Sequence, residues 1–402
     1  KLMNQPIEKS SRLRLHYLDG LRGLAALYVL LVHIDPEMGE KLPLFWSLFG
    51  KTLRYGGFAV AIFIALSGYV LMLPVSRSQS GHISGTLIDY IKRRSRRILP
   101  PYYAALVFSL LLAFAVFLLE TFSQFKWDDI AGRAHFSPKF TLIDVLSHLL
   151  LVHNLSYATH ISINPPMWSV ATEWQIYFIF PFILLPVWRR FGLLASVVTA
   201  FVISLLPIYL LNGLFESASP WYLGIFALGM AAAEIGFSQK PKLMSMRNSL
   251  PWGTLSVVFT IVAFITEWRK LGLHIWIGHS FFGIASACLF IYCTKFITDG
   301  KTPAPLILKI FDHPLAVDIG TISYSLYLTH GPVLSLVRYG LFNLQLPAST
   351  FASASYLLGT IASLLFAYPF YLLFERPFTS NFFQKGKLQD ANFQQPTNTK
   401  KL

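Results

Sequence analysis

The sequence predicts an all-α protein that crosses a membrane about ten times, and three observations predict it. Of 402 residues, 54% are hydrophobic and 13% charged, with a mean hydropathy of +0.54. Soluble chains carry about 25% charged residues. The apolar residues also come in blocks close to the roughly twenty that a helix needs to cross hydrocarbon. The surplus positive charge, formally +14, gathers between alternate blocks. Lys and Arg do this in cytoplasmic loops, so the charge reads as topology and not as nucleic-acid binding.

The expected spans fall near 18–34, 57–74, 100–120, 168–187, 191–212, 218–236, 250–266, 274–297, 320–341 and 351–374. With both termini cytoplasmic, most basic residues then lie inside, as the positive-inside rule requires. We expect a cytoplasmic tail over 1–16, a membrane domain over 17–378, and a polar, disordered cytoplasmic tail over 379–402. No appended soluble domain and no internal repeat is expected.

The first span, within YLDGLRGLAALYVLLVHI, is too long for a signal peptide and has no small-residue cleavage site after it. It carries Asp19, Arg22 and His33. Arg22 and His33 are eleven positions apart, about three helical turns, so they share one face at a separation on the order of 16 Å. One end of that face holds a fixed cation, the other a group that exchanges protons near neutral pH. Ionisable residues in a span mark a functional site by default.

The second span carries Ser67. Before the third stands KRRSRRILPPYY, with Arg93, Arg94, Arg96 and Arg97 ahead of two prolines that open the helix. This is a stop-transfer cluster. It is also a candidate site for a phosphorylated ligand, because Arg grips phosphate bidentately and a helix N-terminus attracts anions. The stretch Thr141 to Tyr157 is apolar but short, and we read it as re-entrant or interfacial.

The fourth span opens with Pro165, Pro166, Met167 and Trp168 and runs inward, which sets Glu173 at the depth of His33. A carboxylate beside an imidazole would hold its tautomer and raise its basicity for general-base work. The bland alternative is a polar pair tying two helices together. The seventh span is short. The eighth contains Cys288 and Cys293, which point to different faces, so neither a disulfide nor a metal pair is expected. The ninth, with Ser323, Tyr324, Ser325, Tyr327, Thr329 and His330, is polar on several faces and must be wrapped in protein or line a cavity. The tenth ends in FERP, where Arg376 is either a headgroup anchor or one more cation. No P-loop, GxSxG, HExxH or dinucleotide fingerprint is present, and no metal site is expected.

Taken together, LDGLRGLAALYVLLVH, FIALSGYVL, KRRSRRILPPYY, MWSVATEWQIYFIFP, ISYSLYLTH and FERP resemble, in order, the motifs of the acyltransferase-3 family of integral membrane acyltransferases. The resemblance runs from about 17 to 378. It implies a carbohydrate O-acetyltransferase-like enzyme of a bacterial inner membrane. Its acyl donor would be acetyl-CoA from the cytoplasm, without a metal. Its acceptor would be a carbohydrate or lipid-linked glycan, reached at the outer side. Carried over onto this sequence, His33 and Glu173 are catalytic. Arg22, Arg93, Arg94, Arg96, Arg97 and Tyr324 hold the donor. Asp19, Asp35, Ser67, Trp168, His330 and Arg376 support substrate or structure. The chain departs from the common pattern at Thr172, Trp174 and Thr329, which bears on the acceptor more than the reaction. An esterase-like domain of the kind fused to some members is not expected here. The rival reading is a transporter or flippase using the same charges as a substrate path.

Overall fold

The computed structural model describes residues 15–36, 42–78, 81–83, 85–127 and 135–379. All but Thr379 of the expected tail over 379–402, and most of that over 1–16, lie outside the described residues. Fifteen α-helices follow in order: α1 His16–Val32, α2 Leu44–Thr52, α3 Gly56–Arg77, α4 Leu87–Phe122, α5 Leu142–Leu149, α6 Met167–Ile179, α7 Leu185–Phe191, α8 Leu193–Leu210, α9 Tyr222–Phe237, α10 Pro241–Ser249, α11 Trp252–Thr266, α12 Ile275–Thr298, α13 Leu306–Phe311, α14 Pro314–Phe342 and α15 Ala348–Phe370. No strand occurs among the described residues.

All ten expected spans are helical. Among the described residues, seven helical stretches are long and apolar enough to cross a membrane. An eighth counts only if α10 and α11, bent by 73° at their junction, form one span. α1, at 17 residues, is one residue short of that test. α14 is long enough but carries the polar run around His330. The stretch read as re-entrant contains the eight-residue α5 and a short 3-10 turn, His153–Leu155, too short to cross.

Small residues let the central helices touch backbone to backbone, as they do in membrane bundles. A Cβ on Gly23 would lie 2.1 Å from the Ala316 carbonyl oxygen, and one on Gly320 2.0 Å from that of Asp19. These contacts press α1 onto α14. Gly68 and Gly229 do the same for α3 and α9, where an added Cβ would meet the Phe226 and Ala65 carbonyl oxygens at 2.0 and 1.9 Å.

α4 corrects one expectation. Pro100 and Pro101 do not open the helix: it begins at Leu87 and runs through both. Its N-terminus is closed by a capping box, in which Thr86 Oγ1 accepts from the Asp89 amide at 3.1 Å and Asp89 Oδ2 accepts from the Thr86 amide at 3.0 Å. At 36 residues it is about 54 Å long, well beyond a hydrocarbon core of about 30 Å. The basic turn therefore rides on an overhanging helix, and no helix N-terminus stands at Arg97 to attract an anion.

Candidate functional site

Two sites lie along α1, one at each end of the Arg22–His33 face. At the Arg22 end, a cleft with about 70 Å³ of free volume is lined by Arg22, Ser67, Arg97, Glu173, Tyr177 and Tyr324, among others. Four helices that are distant in sequence (α1, α3, α4 and α6) meet there with α14. Arg22 Nη1 pairs with Asp19 Oδ1 at 3.2 Å on its own helix. Arg97 is exposed at the cleft and Arg94 lies behind, its guanidinium 6.0 Å from the Tyr177 ring and its Nε buried without a partner. Arg93 and Arg96 are exposed and do not line the cleft. Tyr324 donates its hydroxyl to the Ile98 carbonyl at 3.1 Å, which holds α14 to the basic turn.

Glu173 accepts from the Tyr177 hydroxyl at 2.6 Å and, through the same oxygen, from the Ser67 hydroxyl. The expected pairing of Glu173 with His33 is not formed. The reason is the entry to α6. Asn164, before the helix starts, is the residue at the level of His330: its Nδ2 donates to the Leu328 carbonyl at 2.9 Å. Ser169 bonds the Tyr327 hydroxyl at 2.6 Å, about one turn before His330 on α14. Glu173, six residues into α6, is about 9 Å deeper than its first residue and reaches the Arg22 cleft instead.

At the His33 end, three imidazoles meet. His33 caps the C-terminus of α1. Its Nδ1 lies 2.8 Å from His330 Nε2, and the two rings are near-parallel at 18°. His135, from the segment between α4 and α5, packs its ring on His33 with centroids 4.3 Å apart. Burial pushes the His135 imidazole down to about 4, against the pull of Asp35. Asp35 in turn pairs with Arg338, 3.7 Å from Nη2, and Arg338 Nη1 donates to the Asp35 carbonyl. Among the described residues no group of three or more His, Cys, Asp or Glu side chains is arranged to hold a metal ion.

Local chemistry explains how α14 presents His330. Pro332 has no N–H, so it leaves the Leu328 carbonyl without its helical donor. Asn164 Nδ2 fills that vacancy and also reaches Ser109 Oγ at 3.3 Å, tying the turn before α6 to α14 and α4. Gly331 leaves room for this: a Cβ there would sit 2.4 Å from the His135 carbonyl oxygen.

The remaining sequence candidates are placed as follows. Trp168 stacks on Tyr222 with centroids 6.0 Å apart. Arg376 is exposed beyond α15 and does not line the cleft. Its neighbour Glu375, not singled out from sequence, turns inward: Oε2 accepts from the Ser325 hydroxyl at 2.5 Å and amide at 3.1 Å. A π-helical turn, Tyr371–Glu375, directs it there. His135 and Asn164 were also not singled out. Each acts through contacts with α14 from far away in the chain, and no spacing rule exposes such contacts.

The helices and the two clusters on one shared helix define a polytopic membrane protein with a buried polar axis. The chain belongs to the family described as the acyltransferase domain, which it matches over residues 15–372. It is 28% identical over 394 residues to a Staphylococcus aureus (strain COL) protein provisionally named an O-acetyltransferase, covering 90% of this chain and 56% of that one. It is 25% identical over 351 residues to the O-acetyltransferase OatA of S. aureus (strain NCTC 8325 / PS 47), covering 82% of this chain and 52% of that one. The chain spans about half the length of these curated relatives. No solved structure matches it. It is thus a multi-pass membrane protein of the acyltransferase-domain family.

Proposed function

We propose that this protein moves an acetyl group from cytoplasmic acetyl-CoA to a hydroxyl of a carbohydrate or lipid-linked glycan at the outer face of a bacterial inner membrane. The observation that carries the reading is α1 itself. One rigid helix bears Arg22 in a cationic cleft and His33 in an imidazole cluster, on the order of 16 Å apart. That separation is comparable to the reach of a pantetheine arm. The relatives' names supply the reaction class.

In this reading Arg22 and Arg97, backed by Arg94, hold the donor phosphates, with Arg93 and Arg96 adding charge at the approach. Donor phosphate competes with Asp19 for Arg22. Glu173 is held by Ser67 and Tyr177, so its role is to shape the donor cleft. His33 takes the proton of the acceptor hydroxyl. The oxygen attacks the thioester carbonyl carbon, the C–S bond breaks, and the departing thiolate takes the proton back from His33. An acyl-histidine intermediate would use the same site.

The test is thiol release from acetyl-CoA by purified protein in detergent, with a panel of sugars, comparing wild type with His33→Ala and Arg22→Ala. Release that needs His33, even as slow hydrolysis, supports the reading. Undiminished turnover by His33→Ala sinks it. A wild type that neither binds nor consumes acetyl-CoA sinks the donor assignment.

A further inference from the structure

The hydrogen-bond pattern around His330 determines which nitrogen of His33 is free. His330 Nδ1 lies 3.1 Å from the Leu326 carbonyl oxygen. A carbonyl only accepts, so Nδ1 of His330 carries the proton. His330 is 1% exposed, and among the described residues the groups that act on its ring are His33, His135, Tyr327 and the Leu326 carbonyl, with no carboxylate among them. A buried imidazolium without an anion is costly, so the ring is neutral and its Nε2 carries a lone pair. The 2.8 Å contact then requires a proton on His33 Nδ1. The opposite assignment would set the lone pair of His330 Nδ1 against the Leu326 oxygen. His33 Nε2 is left unprotonated, on a ring that is half-buried rather than sealed.

We propose that His330 is the positioning residue of this enzyme: it accepts from His33 Nδ1–H and leaves Nε2 as the one basic nitrogen offered to the acceptor hydroxyl. The proposal deepens the reading of His33 as base and rests on it. It also replaces the carboxylate expected at this place. An imidazole acceptor orients the ring as a carboxylate would, but places no negative charge beside it. The other group facing His33 is His135 from the segment before α5, which in turn faces the Asp35–Arg338 pair. His135 packs on the face of the ring, which resists rotation about the bond that His330 aligns.

The first arm of the test does not depend on turnover. Nitrogen NMR of protein labelled with 15N-histidine, with the His33 signals assigned by their loss in His33→Ala, reads the protonated nitrogen directly. Protonation at Nδ1 in wild type is expected. His330→Ala should move the proton to Nε2, the form free imidazole side chains prefer. His330→Gln should keep it on Nδ1, because the glutamine amide oxygen stands near where Nε2 stood. A proton on His33 Nε2 in wild type, or a ring unchanged by His330→Ala, overturns the proposal. Where His330→Ala does not fold, the wild-type spectrum and His330→Gln decide it.

The second arm is thiol release from acetyl-CoA. His330→Ala should lower kcat on the order of 100-fold with KM for acetyl-CoA unchanged, and His330→Gln should recover most of the loss. If His33→Ala is inactive while His330→Ala matches wild type, positioning by His330 fails and the base survives. If His33→Ala is as active as wild type, the base itself fails.

Discussion

At the scale of residues, the two ends of the Arg22–His33 face make separable predictions. His33→Ala removes the proposed base and should cost kcat at least about 100-fold in the thiol-release assay, with an unchanged melting temperature. Arg22→Ala removes a charge-assisted contact to phosphate. It should raise KM for acetyl-CoA by about tenfold or more, with Arg22→Lys intermediate because a point charge replaces a planar fork. A kcat effect without a KM effect for Arg22→Ala would place Arg22 outside donor binding. Both residues are legible in the sequence, because a charge inside an apolar run is costly and conspicuous. Their partners are not. Glu173 was expected beside His33, but it is bound by Ser67 and Tyr177, and the ring partner is His330, 297 residues away.

At the scale of elements, helix contact rests on absent side chains and on displaced hydrogen bonds. Gly320→Leu would drive a side chain into the Asp19 carbonyl and prise α14 from α1. That should lower the melting temperature sharply and abolish activity, whereas Gly340→Leu, which faces open space on the same helix, should do neither. Asn164→Ala withdraws the donor from the Leu328 carbonyl that Pro332 has already exposed. A buried acceptor left unmet costs about 1–3 kcal/mol, readable as a lowered denaturation midpoint. Asn164→Asp should be no better, because a carboxylate cannot donate. α4 shows where element-level reading fails. Two adjacent prolines usually mark a helix start, yet here the helix is long enough to carry the basic turn outside the hydrocarbon and continue through them.

At the scale of the whole molecule, histidines buried outside the spans tie stability to pH. Burial pushes His135 down to about 4 and His153 to about 2, and lowers His148, on which His153 stacks at 3.7 Å. In the unfolded chain each titrates near 6.5. Above that value both states are neutral and the protein has its full stability. As pH falls toward 4, the unfolded chain binds protons that the folded one refuses, so stability is lost. The melting temperature in detergent should fall between pH 7 and pH 5, before most carboxylates titrate, and His153→Phe should flatten the slope. A flat profile in wild type would contradict it.

The amino-acid sequence by itself determined the all-helical membrane architecture, the approximate place of the long helices apart from the start of α4, the family, and the placing of Arg22 and His33 on one helix. Each of these depends on composition, on the periodicity of a single helix, or on motifs that lie contiguously in the chain. Only the tertiary structure decided that Glu173 serves the Arg22 cleft, that Glu375 and not Arg376 turns inward, and that His330 and His135 surround His33. Those outcomes depend on relative helix depth. Depth is set by where α6 begins, by glycine contacts that bring α1 and α14 together, and by a turn held through Asn164. A shift of a single helical turn, about 5.4 Å, exchanges one partner for another while leaving every local pattern in the sequence unchanged.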